Sequence, residues 1–201
     1  MSKPIVINMF AGPGCGKSTS AAAVFSLLKM HDVNAELITE FAKDLTWEER
    51  RRTLNNQMYI WGKQYHRMWR VKDRVEVIVT DSPLLLGMIY GKDNPDCFNE
   101  MILHSFNEFD NMNYFLLREK KFNPKGRNQT EEESKKLDDD ILFMIAENDI
   151  RYKIIPGNYE GINDIAKRVL RRLNKKMEIS LGGGVKLCVE DIGLDPTFKG
   201  A

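Results

Sequence analysis

The chain has 201 residues, enough for one compact domain with a full core, and its 30 Lys and Arg against 29 Asp and Glu leave a net charge of +1. That balance excludes the broad basic surface of duplex-binding domains, so recognition of phosphate must be local. Cys15, Cys97 and Cys188 form neither a CxxC pair nor an even set, and the early apolar run from Ile5 to Ala11, broken by Asn8, is too short for a signal or membrane segment; the expectation is a cytoplasmic protein with no disulfide framework, zinc site or membrane partner.

A strand is expected over Pro4 to Phe10, and it runs into Phe10-Ala11-Gly12-Pro13-Gly14-Cys15-Gly16-Lys17-Ser18-Thr19. A helical pattern leaves that stretch, with Ala22, Ala23, Val24, Leu27 and Leu28 on one face and His31-Asp32 at its end. Counted back from Gly16-Lys17-Ser18, the stretch matches the Walker A pattern, with Ala11 where the first glycine usually stands. Gly12, Gly14 and Gly16 permit left-handed or close-approach backbone, so consecutive amide N–H groups can turn onto phosphate oxygens at the positive end of the helix. Gly12, Pro13, Gly14, Cys15, Gly16, Lys17, Ser18 and Thr19 are therefore the expected nucleotide cradle. Lys17 would reach the β- and γ-phosphates, and Ser18 would place its hydroxyl on Mg²⁺ with Thr19 beside it. A dinucleotide-binding fingerprint is rejected because Lys17 stands where its third glycine would be. The helix N-terminus is also expected to lower the Cys15 thiol pKa, which would let oxidation block nucleotide binding.

Ala35 to Ile38 reads as a second strand. Thr46-Trp47-Glu48-Glu49 has capping-box spacing, and a long helix is expected from Glu48 towards Val71. Val75 to Thr80 is a third strand ending in Asp81-Ser82-Pro83, and Asn94-Pro95 opens a helix to about Phe109. Tyr114 to Leu117 is the fourth strand, followed by a basic, turn-rich loop from Arg118 to Gln129. Thr130-Glu131-Glu132-Glu133 is a second capping box, opening a helix to about Asn148. Lys153 to Ile155 is a fifth strand, and Glu160 to Asn174 the last amphipathic helix. Strands alternating with helices imply an α/β fold with a parallel sheet covered on both faces, complete by about Lys176. The remainder, 177–201, is an extension in which Gly182-Gly183-Gly184 between two apolar stretches suits a small hairpin or a flexible tail.

Ligands of such sheets gather at the carboxyl ends of the strands, so the residues just after each apolar run matter most. Asp81 is either a metal or acceptor carboxylate or a cap before Pro83, and its pairing with the loop favours the first. Glu40, after the second strand, either takes a proton from an acceptor hydroxyl or is a solvated surface group. Among Arg118, Lys120, Lys121, Lys125 and Arg127, the two arginines are the choice for a cation closing on the transferred phosphoryl group. Arg50, Arg51 and Arg52 either contact an acceptor phosphate or form a solvated helix face. Gln57, Gln64 and Arg67 lie where an amide could read a base edge, and Trp61, Tyr65 and Trp69, spaced by four, suit core packing better than base stacking. His31, His66 and His104 show no ligand spacing.

With these residues in view, the chain resembles the P-loop nucleoside and nucleotide kinases, and within them the small kinase-like ATP-binding proteins of bacteriophage genomes and the ribosylnicotinamide kinase group. The likeness covers about Lys3 to Lys176 and is carried by Gly12 to Thr19, Glu40-Phe41-Ala42-Lys43, Thr80 to Leu84 and Asn123 to Thr130. It implies a five-stranded sheet of order 2-3-1-4-5, a lid over about 118–130, and Mg-ATP as donor. By the same resemblance Lys17, Asp81, Arg127 and Glu40 would be catalytic, Arg118 would join the nucleotide cradle, and Ser18 and Asp81 would hold Mg²⁺. The family divides at the acceptor: nucleoside kinases carry a carboxylate after the second strand, as Glu40 is placed, and monophosphate kinases carry arginines on the next helix, as Arg50 to Arg52 are. This chain has both, and Ser82-Pro83 follows Asp81 where many thymidylate kinases have an arginine. The implied activity is transfer of the γ-phosphoryl of ATP to a nucleoside or nucleoside monophosphate, with a homodimer left open. The alternatives are a kinase acting on a hydroxyl of nucleic acid, such as a hydroxymethylated base or a 5′ end, and an ATPase switch module, although the chain lacks room for the helical domain of AAA-type motors.

Overall fold

The computed structural model describes residues 3–119, 130–174, 178–181 and 185–188. Strand β1 (Ile5–Phe10) is buried at all six positions and leads through the glycine-rich turn into α1 (Lys17–Met30). Next come β2 (Ala35–Ile38), α2 (Phe41–Trp47), α3 (Arg51–Leu54), α4 (Gln57–Trp69) and β3 (Val77–Thr80). After them the chain forms α5 (Leu86–Tyr90), α6 (Asp96–Asn107), β4 (Asp110–Leu117), α7 (Glu131–Glu147), β5 (Lys153–Pro156) and α8 (Tyr159–Arg172). The five strands make one parallel sheet of order β2-β3-β1-β4-β5, the expected order. Beyond it, β6 (Glu178–Leu181) pairs antiparallel with β7 (Val185–Cys188), the hairpin that the flanking apolar stretches suit; Gly182-Gly183-Gly184 lies outside the described residues.

The pleat of β1 sorts its side chains into two cores. Ile5, Ile7 and Met9 pack with Ala21, Val24 and Leu28 of α1 and Ile165, Val169 and Leu170 of α8. Val6 and Phe10 pack on the other face with Trp61, Phe98, Ile102, Phe106, Ile141 and Ile145. Asn8, 1% exposed, falls on that second face too. Its Nδ2 donates to Asn111 Oδ1 at 2.8 Å and Asn113 Oδ1 at 2.9 Å, so a polar ladder crosses from β1 to β4 within an apolar layer.

The helix expected from Glu48 towards Val71 is two helices, α3 and α4, and α2 ends just before it. Thr46 does not cap: its hydroxyl donates to Ala42 O at 3.0 Å, and Glu49 takes a positive φ of 56° that breaks helical continuity. The cap belongs to Asn56, whose Oδ1 accepts Tyr59 N–H at 3.1 Å and starts α4. Pro95 is extended (ψ 151°) and precedes α6 instead of filling its first turn. The Thr130 box does form: Thr130 Oγ1 accepts Glu133 N–H at 3.2 Å, and Glu133 Oε2 accepts Thr130 N–H at 2.7 Å.

Removing that hydroxyl leaves a helix-start amide without its acceptor. Thr130→Ala should lower the unfolding free energy by about 1 kcal/mol, read as a lower urea midpoint at constant slope. An unchanged midpoint would show that α7 does not need its box.

Candidate active site

The turn between β1 and α1 has the backbone of an anion site. Gly14 and Gly16 both sit at φ 90°, a left-handed conformation that a Cβ would strain. Gly16 is the N-cap of α1, no side chain caps it, and no acidic residue lies in the first turn. The first turn of α1 thus carries no acid of its own, in contrast to α7, whose first turn holds Glu131, Glu132 and Glu133. Lys17 folds back over its own loop: Nζ donates to Ala11 O at 2.7 Å and Gly12 O at 3.1 Å. Burial pushes its pKa down, opposed first by Glu40 and also by Asp81 and Asp138.

A cavity of about 450 Å³ opens from this loop, within the range of small-molecule sites. Pro13, Gly14, Gly16, Lys17, Ser18 and Thr19 of the turn line it together with Glu40, Gln64, Asp81 and Tyr90. Ile60, Trp61, Leu84 and Leu86 supply apolar wall. Each polar group arrives from a strand end or an adjoining helix. Glu40 is the extended residue at the start of α2 and is held through its neighbour, because Gln64 Oε1 accepts Phe41 N–H at 2.9 Å. Asp81 follows β3 in a turn closed by Thr80 Oγ1, which accepts Ser82 N–H at 3.1 Å. Asp81 is 2% exposed and its Oδ1 has no hydrogen-bond partner. Two other buried atoms of cavity residues, Gln64 Nε2 and Trp61 Nε1, are also without partners. Three unsatisfied polar atoms on the residues around one cavity are what a polar ligand would relieve.

The structure therefore gathers Gly14, Gly16, Lys17, Ser18, Thr19, Glu40 and Asp81 around one space. Arg118 is elsewhere engaged, donating to Pro13 O, Ser134 Oγ and Asp138 Oδ2. Arg127, Lys120, Lys121 and Lys125 lie outside the described residues, as does most of the segment expected as a lid. Arg50, Arg51 and Arg52 do not line the cavity, and neither does Arg67, which pairs with Asp44 and donates to Thr39 O at 3.1 Å. Gln64 reaches the cavity but not as a two-point reader, since its oxygen is engaged with Phe41. Trp61 is buried and stacks on Tyr65 with ring centroids 5.5 Å apart, whereas Trp69 is 49% exposed and outside the core.

Sequence reasoning missed Tyr90, Ser134 and Asp138. Tyr90 lies in the short α5, and burial, followed by Glu40, pushes its phenol pKa up. Ser134 and Asp138 are four apart and so share a face of α7, a spacing that could have marked them inside the acidic run Asp138-Asp139-Asp140. Cys15 corrects the expectation of an activated thiol. The residue is 1% exposed and packs in the core, and burial, with Asp138 next, pushes its thiol up to about 11. The helix end does not prevail over desolvation.

A raised pKa means less thiolate at a given pH. At pH 8 the Cys15 thiolate fraction should be about 100-fold below that of an ordinary thiol, so iodoacetamide should label exposed Cys97 long before Cys15, as peptide mass spectrometry would read. Equal labelling rates would contradict the burial argument.

A model of the AAA domain family matches residues 6–161. No curated protein matches the chain in sequence. Among solved structures the chain is similar to deoxyadenosine kinase from M. mycoides. With the products dCMP and a flexible dCDP bound, that structure has a TM-score of 0.52 at 17% identity over 84% of this chain and 98% of that one. With dATP bound, the TM-score is 0.51 at 16% identity over 85% and 100%. At such identities the likeness is one of fold, a parallel α/β fold of the P-loop kinase type.

Proposed function

The chain belongs to the AAA domain family, and we propose that it acts as an ATP-dependent phosphotransferase passing the γ-phosphoryl of Mg-ATP to a hydroxyl of a nucleoside. One observation carries this reading: Lys17 and Ser18 of the phosphate loop line the same cavity as Glu40, Gln64 and Asp81. A donor phosphate seated on the loop and an acceptor seated against Glu40 would then share one space, which holds the reacting groups close together. Arg50, Arg51 and Arg52 stand off the cavity, which favours a neutral hydroxyl over an acceptor phosphate.

In the proposed reaction the backbone N–H groups of Gly14 to Ser18 hold the phosphates, and Lys17 exchanges its two carbonyl partners for phosphate oxygens. Glu40 takes the hydroxyl proton as the acceptor oxygen bonds to the γ-phosphorus and the bond to the β–γ bridging oxygen breaks, releasing ADP. Gln64 Nε2 is a single donor for the acceptor's base, and Trp61 forms part of the apolar wall beside it. Ser18 and Asp81 are the residues that would hold Mg²⁺, and the unpartnered, buried Asp81 Oδ1 fits that role. Among the described residues no group of three or more His, Cys, Asp or Glu converges, so the other ligands would be phosphate oxygens and water. Bound there, the ion would neutralise charge on the β- and γ-phosphates.

The test is γ-labelled ATP with Mg²⁺ against nucleosides, nucleoside monophosphates, nicotinamide riboside, and DNA with and without hydroxymethylated bases, with the products separated by chromatography. Label on a nucleoside is expected. Label on DNA would transfer the reading to a nucleic-acid hydroxyl, and free phosphate alone would favour an ATPase switch. Lys17→Ala should reduce kcat by at least about 10²- to 10³-fold and Glu40→Gln by about 10²- to 10⁴-fold, both with the fold retained by circular dichroism. Transfer at the original rate by Lys17→Ala would refute the site.

A further inference from the structure

Asp138 is the most heavily engaged carboxylate near the phosphate loop, and the chemistry proposed above does not use it. It lies on α7, 126 residues from Gly12, yet its Oδ1 accepts Gly12 N–H at 2.5 Å. Its Oδ2 accepts Arg118 Nη2–H at 2.8 Å. Arg118, at the end of β4, also donates to Ser134 Oγ at 2.7 Å and, through Nη1, to Pro13 O at 3.1 Å. Ser134 Oγ donates in turn to Pro13 O at 2.5 Å. Two consecutive loop residues are thus gripped at once, Gly12 by its donor and Pro13 by its acceptor, by three side chains from β4 and α7.

These contacts are largely shielded from water. Ser134 is fully buried, and the side chains of Arg118 and Asp138 are only 13% and 18% exposed. The fit leaves no room for a side chain at Gly12, where a Cβ would lie 2.3 Å from Ser134 O, 2.9 Å from Ser134 Oγ and 3.0 Å from Asp138 Oδ1. Both Nη atoms of Arg118 are engaged and its Nε is buried without a partner, so the guanidinium is tied to the loop's supports. Hydrogen bonds from charged groups in such surroundings are among the stronger ones. A phosphate cradle needs its N–H groups aimed before the ligand arrives, and what fixes the first residues of the turn fixes the aim of the rest.

We propose that Asp138, with Arg118 and Ser134, forms a latch that positions the phosphate loop through Gly12 and Pro13, and that Arg118 acts through the loop without touching the nucleotide. The latch rests on the reading of the loop as a nucleotide site.

The test measures binding of a fluorescent ATP analogue to the full chain, with thermal unfolding in parallel, at a temperature where every variant is folded. Asp138→Ala should weaken binding about 10- to 100-fold, because the Gly12 N–H loses a charged acceptor. Asp138→Asn keeps one acceptor oxygen for that N–H but sets an amide NH2 against Arg118, so it should recover only part of the lost affinity and fall between Asp138→Ala and the original. Ser134→Ala, a smaller change that tests the Pro13 side if Asp138→Ala does not fold, should weaken binding several-fold. A residue with only a structural role would lower the melting temperature and leave the affinity of the folded protein unchanged. That result for both Asp138→Ala and Ser134→Ala overturns the latch alone, whereas absence of binding by the unmodified chain removes the nucleotide site and the latch together.

Discussion

The site depends on β1 being hydrogen-bonded along both edges. Its neighbours β3 and β4 run parallel to it, in registers that carry Ile5 to Asn8 against Val77 to Thr80 and Ile5 to Phe10 against Asp110 to Phe115. A strand held on both sides cannot slide without breaking two ladders, so the turn after Phe10 is delivered at a set height above the sheet. Because all five strands are parallel, Glu40, Asp81 and Arg118 are delivered at the same edge, after β2, β3 and β4. The order places β1 between the strand that ends in Asp81 and the strand that ends in Arg118. One neighbour supplies a carboxylate to the cavity side of the turn, and the other supplies a guanidinium that binds the carbonyl of Pro13.

That layout was legible where the information is local. The apolar runs of β1 and β3, the glycine spacing before Lys17 and the Thr130 box act within a few residues of chain, and the structure carries each of them. The reading of Glu48 to Val71 as one helix failed for a tertiary reason. Leu45 is buried and Gln64 and Arg67 hold the start of α2, so the chain must turn at Glu49 to bring α4 back across Phe41. Nothing in the helical periodicity carries that requirement. Asp138 was hidden for a similar reason: in the run Asp138-Asp139-Asp140 the charges look alike, and only the packing of α7 against the loop singles one out. The Cys15 expectation counted the helix end and left out burial, the larger effect.

The charges around Lys17 are arranged to keep it where it is. Burial disfavours its ammonium, and Glu40 leads the carboxylates that favour it, with Asp81 and Asp138 contributing less. The Ala11 and Gly12 carbonyls meanwhile accept from Nζ, so the lysine is held against its own loop by two hydrogen bonds. On the proposed reading, a phosphate would take the place of those two carbonyl groups at Nζ.

The tryptophans give this arrangement an optical side. The chain has three: Trp47 and Trp61 line the cavity, and Trp69 stands apart on the surface. Trp47 is 67% exposed, whereas Trp61 is 7% exposed, stacked parallel to and offset from Tyr65, and so close to Gly87 that a Cβ there would lie 2.6 Å from its ring. Two indoles of opposite polarity of surroundings thus flank the same space. Filling that space would shift the emission of the wet indole at its mouth towards the blue while quenching or sparing the dry one in its wall. The molecule's own fluorescence can therefore follow occupancy of the cavity without a label.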